Sequence, residues 1–315
     1  MTRALDPEIA EVLAPVLGQL ATMEPPPPGD VAARRELVGG LMATFMATLP
    51  DAPPVDVQDD TCVGHGGATV PLRVYRPTSA TGGLVLYVHG GGMILGSVEL
   101  YDPLLRFLAG SSGSTLVAVD YRLAPEHPHP TPVEDAYAAL VWAAENATSI
   151  GCEPGRLGVA GDSAGGGIAA GVALLARDRG GPALTRQVLI YPMLDDRNVE
   201  APADASPVQT WSYDDNVTGW GALLGDAAGG PDVSAYAAPA RATDLSGLPA
   251  TYVMVGDLDI FRDEDVAYAA RLAQAGVEVE LHLHPGGPHA FELFAPTTAL
   301  GGRAYADEIR VLQGV

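Results

Sequence analysis

Residues 156–166 read RLGVAGDSAGG, and an apolar stretch rich in small residues, GIAAGVALLARD, follows without a break. A strand with apolar residues on both faces that enters a helix through one tight turn belongs inside a parallel sheet covered on both sides. The same alternation recurs along the chain. GLVLYVH (83–89), STLVAVDY (114–121), RQVLIYP (186–192) and ATYVMVG (250–256) read as buried strands. TPVEDAYAALVWAAENA (131–147), EDVAYAARLAQAG (264–276) and a stretch near 301–313 read as helices, with Thr131 and Glu134 spaced as a capping box. DVQDDTCV (56–63) and TVPLRVYRP (69–77), joined by a glycine-rich turn, read as an antiparallel hairpin. VEVELHLHP (277–285) alternates as an edge strand does. Such an edge leaves backbone groups open to a second copy, so a homodimer through it is one expectation and a solvated edge the other. The fold class is α/β: a mostly parallel central sheet with helices on both faces.

Two segments stand outside this alternation. Residues 7–21 and 30–47 have helical spacing, with Asp6 placed as an N-cap and Pro7 at the first helical position, and the proline-rich EPPPPGD joins them. Residues 193–245 are polar and broken by Gly and Pro, too long a stretch for a bare loop in a compact domain. The expected organisation is a pair of N-terminal cap helices over 1–50, a core built from 51–192 and 246–315, and a cap insertion over 193–245.

Charge and composition exclude several functions. Seventeen basic against 39 acidic residues give a net charge of −22, which repels phosphate backbones and anionic lipid. No nucleic-acid partner and no stable membrane association are expected. The sequence contains no lysine, which removes Schiff-base, pyridoxal-phosphate and P-loop lysine chemistry together. The N-terminal residues carry acids and a proline where a signal peptide has its apolar core. Only Cys62 and Cys152 are present, without metal-ligand spacing, so the expectation is a reduced, cytoplasmic protein, with the pairing of the two thiols left open.

The segment GDSAGG (161–166) contains G-x-S-x-G at a strand-to-helix turn, the context that gives this pattern meaning. Ser163 is the candidate nucleophile. It needs a base, and the chain holds seven histidines. His65 lies in the hairpin turn, His89 precedes a glycine run, His127 and His129 follow a strand, and His282 and His284 lie within one. His289, in PGGPHAF, sits just past the C-terminal end of the last strand, where loops of such a sheet converge on a site. The other reading of His282 and His284, a two-ligand metal site, finds no third ligand of suitable spacing. An acid must orient the imidazole. The loop GDLDIFRDED offers Asp257, Asp259, Asp263 and Asp265. The last two suit the start of the next helix, leaving Asp259 as the choice and Asp257 as the reserve.

The run HGGG (89–92) ends an early strand. Glycine exposes its N–H and adopts unusual dihedrals, which suits donors aimed at a developing oxyanion. Gly91 and Gly92 are the candidate donors, with the N–H of Ala164 as the third, while His89 anchors the cradle.

With HGGG (89–92), YRLAPE (121–126), GDSAGG (161–166), DIFRDE (259–264) and HAF (289–291) in order, the chain resembles the bacterial hormone-sensitive-lipase-like carboxylesterases of the α/β-hydrolase fold. The resemblance spans about 55–315. It implies a helical cap and a serine carboxylesterase acting on short- to medium-chain acyl esters, with no cofactor and no metal. It also implies Asp259 as the acid and Glu126 as a buried group bracing the site, and Asp162 is placed with His89 as a further support. Two departures stand out: Ile260–Phe261 where the family more often has Pro–Leu, and Ala290 where it usually has Gly. Met93 follows the glycines where an aromatic residue is common. Candidate pocket residues are Met93, Met42, Phe45, Met46, Trp211 and Trp220, with Tyr213. An amidase or peptidase of the same fold is the near alternative. A non-catalytic ligand-binding protein is the alternative of another class, marked by a missing histidine, whereas His289 is present.

Overall fold

Two helices open the chain, α1 (Pro7–Leu20) and α2 (Val31–Met46), in a computed structural model that describes residues 3–315 apart from 204 and 207. Those two internal positions fall in the expected cap insertion. Both helices start on an aspartate. Asp6 accepts from the N–H groups of Glu8 and Ile9, and Asp30 accepts from that of Ala33, satisfying donors that no helical carbonyl reaches. Then come β1 (Val55–Val63), β2 (Thr69–Pro77), β3 (Leu84–Val88) and α3 (Val98–Ser112). They are followed by β4 (Thr115–Val119), α4 (Thr131–Asn146), β5 (Leu157–Asp162), α5 (Ala164–Arg179) and β6 (Arg186–Ile190). The rest is α6 (Tyr213–Leu224), β7 (Ala250–Gly256), α7 (Arg262–Gln274), β8 (Val279–His284), the single turn α8 (Phe291–Phe294) and α9 (Ala299–Gln313).

Among the described residues the strands form one eight-stranded sheet in the order β1-β2-β4-β3-β5-β6-β7-β8. β2 runs antiparallel to β1 and β4, and the other neighbouring pairs are parallel. Every residue of β3, β4 and β5 is buried, as helices on both faces require. β8 lies at the edge, with Leu281 and Leu283 exposed. β3 and β5 are neighbours, with Val88 opposite Gly161. The loops leaving their C-terminal ends, HGGG and GDSAGG, therefore lie side by side.

Some local expectations are corrected. Thr131 is the first helical residue of α4 behind Pro130, and no side chain caps that end; Glu134 turns instead to Arg179 of α5. A capping box does form at α6, where Ser212 and Asp215 bond each other's backbone. Neither α6 nor α3 is evident in the sequence: Pro103 interrupts the pattern of α3 from inside. At the start of α7, Asp263 is paired with Arg262 at the surface. Asp265 is fully buried, and among the described residues neither of its carboxyl oxygens has a hydrogen-bond partner. Burial raises its pKa well above the ordinary range, with Glu264 and Asp259 adding to the rise.

The cap segments are stapled by a buried arginine. Arg34 of α2, 1 % exposed, donates to Asp215 of α6 at 2.8 Å and to the carbonyls of Pro26 and Pro27. Cys62 and Cys152 are buried and unpaired. Burial pushes the Cys62 thiol up to about 11, away from reactive thiolate. Among the described residues no helix is long and apolar enough to cross a membrane.

Candidate active site

Ser163 sits between β5 and α5 at φ 53° and ψ −122°. A non-glycine residue at positive φ is held there only by its surroundings, and here glycines make the room. A Cβ at Gly161 would lie 2.4 Å from the Gly165 carbonyl oxygen, and one at Gly165 would lie 2.1 Å from that of Val88. The Ser163 N–H donates to Ile190, and its carbonyl accepts from Gly167 and Met193. So pinned, its Oγ lies 3.0 Å from His289 Nε2, and His289 Nδ1 lies 2.8 Å from Asp259 Oδ2. The three residues are 5 %, 7 % and 5 % exposed. The second Asp259 oxygen accepts from the Phe261 N–H at 3.0 Å.

Asp257 faces elsewhere. Its carboxylate accepts from the Gly286 N–H at 2.7 Å and so ties the β7 loop to the loop that carries His289. The imidazole is boxed by the rings of Tyr191 and Phe261, at 4.7 and 5.1 Å between centroids. The Thr210 hydroxyl reaches down from the cap to the His289 carbonyl at 2.5 Å. Ala290, the departure noted in the sequence, takes φ 57°, a left-handed conformation that suits glycine better than alanine.

The glycine run divides its labour. Gly90 donates its N–H to the Tyr101 hydroxyl at 3.0 Å and to Asp162 at 3.2 Å. Asp162 also accepts from Tyr101 at 2.7 Å and from Tyr87 at 3.2 Å. Burial pushes the Asp162 carboxyl up to about 6, although the tyrosine hydroxyls pull it down. Gly90 is thus an anchor. Gly91 and Gly92 take φ 112° and 61°, and a Cβ on Gly92 would lie 2.4 Å from the Trp211 ring. Among the described residues no internal hydrogen bond occupies the N–H of Gly91, Gly92 or Ala164. His89 stacks on Tyr121 at 4.4 Å, and its Nδ1 lies 2.8 Å from the Gly90 carbonyl. Desolvation lowers its pKa, which favours the neutral imidazole. It braces the turn, and it is His289 that meets Ser163.

A small pocket of about 40 Å³ opens beside Ser163, Gly91 and His289. Of the expected lining residues, Met42 and Trp211 border it, joined by Val38, Tyr191, Leu293 and Phe294. Phe45, Met46, Met93, Trp220 and Tyr213 do not. Phe45 packs edge-on against Phe294 at 4.7 Å, and Met46 and Trp220 are buried in the core. Met93 is 2 % exposed, with its carbonyl bonded by the Ala124 N–H, so the loop turns its side chain into the interior.

Glu126 is the clearest correction. Its side chain is 54 % exposed and receives two 2.7 Å hydrogen bonds from Arg35 of α2. It fastens the cap from outside and does not brace the site from within. The metal reading of His282 and His284 also changes. His284 meets His282 only ring to ring, at 6.0 Å between centroids, and the donor atoms that gather around His282 are those of Glu280 and Asp307. Both imidazole nitrogens already face those carboxylates at 3.0 Å, and Arg310 pairs with the same two acids, so the donors are spent on one another.

With this geometry in place, comparison with known proteins is informative. A family model described as alpha/beta hydrolase fold matches residues 85–293. Carboxylesterase NlhH of Mycobacterium tuberculosis is 40 % identical over 257 residues, covering 79 % of this chain and 80 % of its own. An arylesterase of Saccharolobus solfataricus is 36 % identical over 257 residues, 81 % of this chain and 83 % of its own. The structure titled bacterial heroin esterase superposes with a TM-score of 0.88 at 38 % identity, covering 99 % of this chain and 98 % of that one. The chain belongs to the hormone-sensitive-lipase-like carboxylesterase family of the α/β-hydrolase fold, and is a carboxylic ester hydrolase.

Proposed function

We propose that the chain is a serine carboxylesterase that hydrolyses short- to medium-chain acyl esters through an acyl-enzyme. The observation that carries this is the chain of contacts from Ser163 Oγ to His289 at 3.0 Å and on to Asp259 at 2.8 Å, beside unoccupied glycine N–H groups. Ser163 attacks the acyl carbon as His289 Nε2 takes its proton, and Asp259 holds Nδ1–H and stabilises the imidazolium. The oxyanion is received by the N–H groups of Gly91, Gly92 and Ala164. The imidazolium then protonates the departing alkoxide. Water, giving its proton to the same imidazole, attacks the acyl-enzyme, and the tetrahedral intermediate collapses to the acid as the imidazolium returns that proton to Ser163 Oγ.

The apolar walls given by Met42, Trp211 and Phe294 favour an acyl chain over a charged group, and the small size of the pocket favours a short one. Two buried, unpaired thiols fit a reducing compartment. The test is a series of p-nitrophenyl esters from acetate to laurate, run beside aminoacyl arylamides. Turnover should peak among the shorter esters, with a burst of nitrophenol that Ser163→Ala abolishes. A burst retained in that variant would remove Ser163 as nucleophile, and faster turnover of arylamides would make the protein an amidase.

A further inference from the structure

Behind the imidazole lie ionisable groups that the proton transfer described above leaves unused. Glu292, three residues after His289 and on α8, is 2 % exposed. One of its carboxyl oxygens takes a short hydrogen bond from the Tyr191 hydroxyl, and the other has no hydrogen-bond partner among the described residues. Tyr191 follows β6 directly at φ 35°, a backbone conformation that an aromatic residue rarely adopts. Its N–H donates to Met254 at 2.6 Å, and its ring meets the His289 ring edge to face at 4.7 Å. The strained residue is therefore held at two ends, by the sheet and by Glu292, with its ring against the imidazole between them.

We propose that Glu292 is a positioning residue for His289: through Tyr191 it fixes the ring on which the imidazole rests, and its carboxyl lends negative charge behind the imidazolium formed when Ser163 gives up its proton. The proposal rests on the serine-hydrolase reading above. Five groups face Glu292: Tyr191 after β6, Asp162 at the end of β5, His289, and Tyr305 and Glu308 of α9. Burial pushes the Glu292 carboxyl up to about 7 and Asp162 adds to the rise, while Tyr191 and His289 pull it down. Glu308, buried beside the same acids, is raised well above the carboxylate range. Asp162 and Glu292 are the acids of this group raised toward neutrality, and Glu292 is the one that Tyr191, whose ring meets the imidazole, is bonded to. In a site of low dielectric, one nearby charge weighs on each protonation step of the imidazole.

The experiment compares Glu292→Gln, which keeps the shape and an acceptor oxygen, with Tyr191→Phe, which keeps the ring. Values of kcat and KM for p-nitrophenyl butyrate are followed from pH 5 to 9, with competent sites counted by titration with a p-nitrophenyl phosphonate. Glu292→Gln is expected to lower kcat per titrated site about tenfold, the equivalent of one pH unit. KM should stay within about twofold, and the acidic limb of kcat/KM should move to lower pH. Tyr191→Phe should move the limb in the same direction, and the double variant should be no worse than the more impaired single. An unmoved limb in Glu292→Gln overturns the proposal whatever kcat does, as does a change confined to KM. If Glu292→Gln fails to fold, the limb in Tyr191→Phe decides in the same way. Wild-type protein that reacts with no phosphonate at all would overturn the assignment of Ser163 instead.

Discussion

Asp257 and Asp259 are two residues apart in one loop, yet their carboxylates do unlike things. Asp259 meets His289 at 2.8 Å, and Asp257 holds the Gly286 N–H at 2.7 Å. In the proposed mechanism Asp259→Asn removes the charge that fixes the tautomer and stabilises the imidazolium, so kcat should fall by a factor on the order of 10⁴. Asp257→Asn keeps an acceptor for Gly286 and should cost less than about tenfold. Steady-state kinetics of the two variants at pH 7.5 decide it, and the reverse ranking moves the acid to Asp257. Ser163 and His289 are legible in the sequence because a strained strand-to-helix turn demands glycines and because elimination among seven histidines leaves one past the last strand. Glu126 is not legible. Its exposure depends on where α2 docks, and Arg35, which draws it outward, lies 91 residues earlier.

That docking is set by a few contacts from α2. Arg35 donates to the Ile94 carbonyl at 2.7 Å, to that of Ala124 at 3.0 Å and to Glu126, and the guanidinium holds the Glu126 carboxyl down at about 2. An ion pair this exposed contributes little to global stability. The same helix, however, carries Val38 and Met42 into the cavity. Arg35→Ala should therefore lower Tm by no more than about 3 °C and raise KM several-fold. Calorimetry and kinetics on one preparation check both, and a large Tm loss with KM unchanged would show that the clamp serves folding alone. Among elements, the parallel strands are plain in the sequence because their apolar runs are continuous. Helix α3 is masked by Pro103, and α6 lies in a polar stretch whose Ser212–Asp215 box shows its meaning only once the helix exists.

For the molecule as a whole, ionisation and folding oppose each other. Asp162, Glu292, Glu308 and Asp265 are all buried with raised pKa values, at about 6 and 7 for the first two. In the unfolded chain such carboxyls titrate near ~4. The folded state holds protons that the unfolded state releases, so this stability is fully present below ~4 and is lost as pH rises through the folded values. Two sets of groups act in the opposite sense. Acids held below their ordinary range, such as Glu126 and Asp59, are exposed and screened. The buried imidazoles of His89 and His284 have lowered pKa values that cost stability as pH falls and so offset part of the gain. A net charge of −22 adds repulsion as the acids ionise. Tm should be roughly 5 °C higher at pH 5 than at pH 8, with salt recovering part of the loss at pH 8. Scanning calorimetry across that range checks it, and a Tm that climbs steadily with pH would sink it.

What the residue order alone determines is everything that rests on local rules. These are the strand and helix periods, the glycines a turn or a bare N–H requires, and the serine, acid and histidine in chain order. What only the tertiary structure decides is what depends on elements far apart in the chain: the β3–β5 pairing that sets the glycine cradle beside Ser163, which face of the cap lines the cavity, and the buried acids gathered behind His289. Burial and charge coupling arise from neighbours in space, and no period or motif records them.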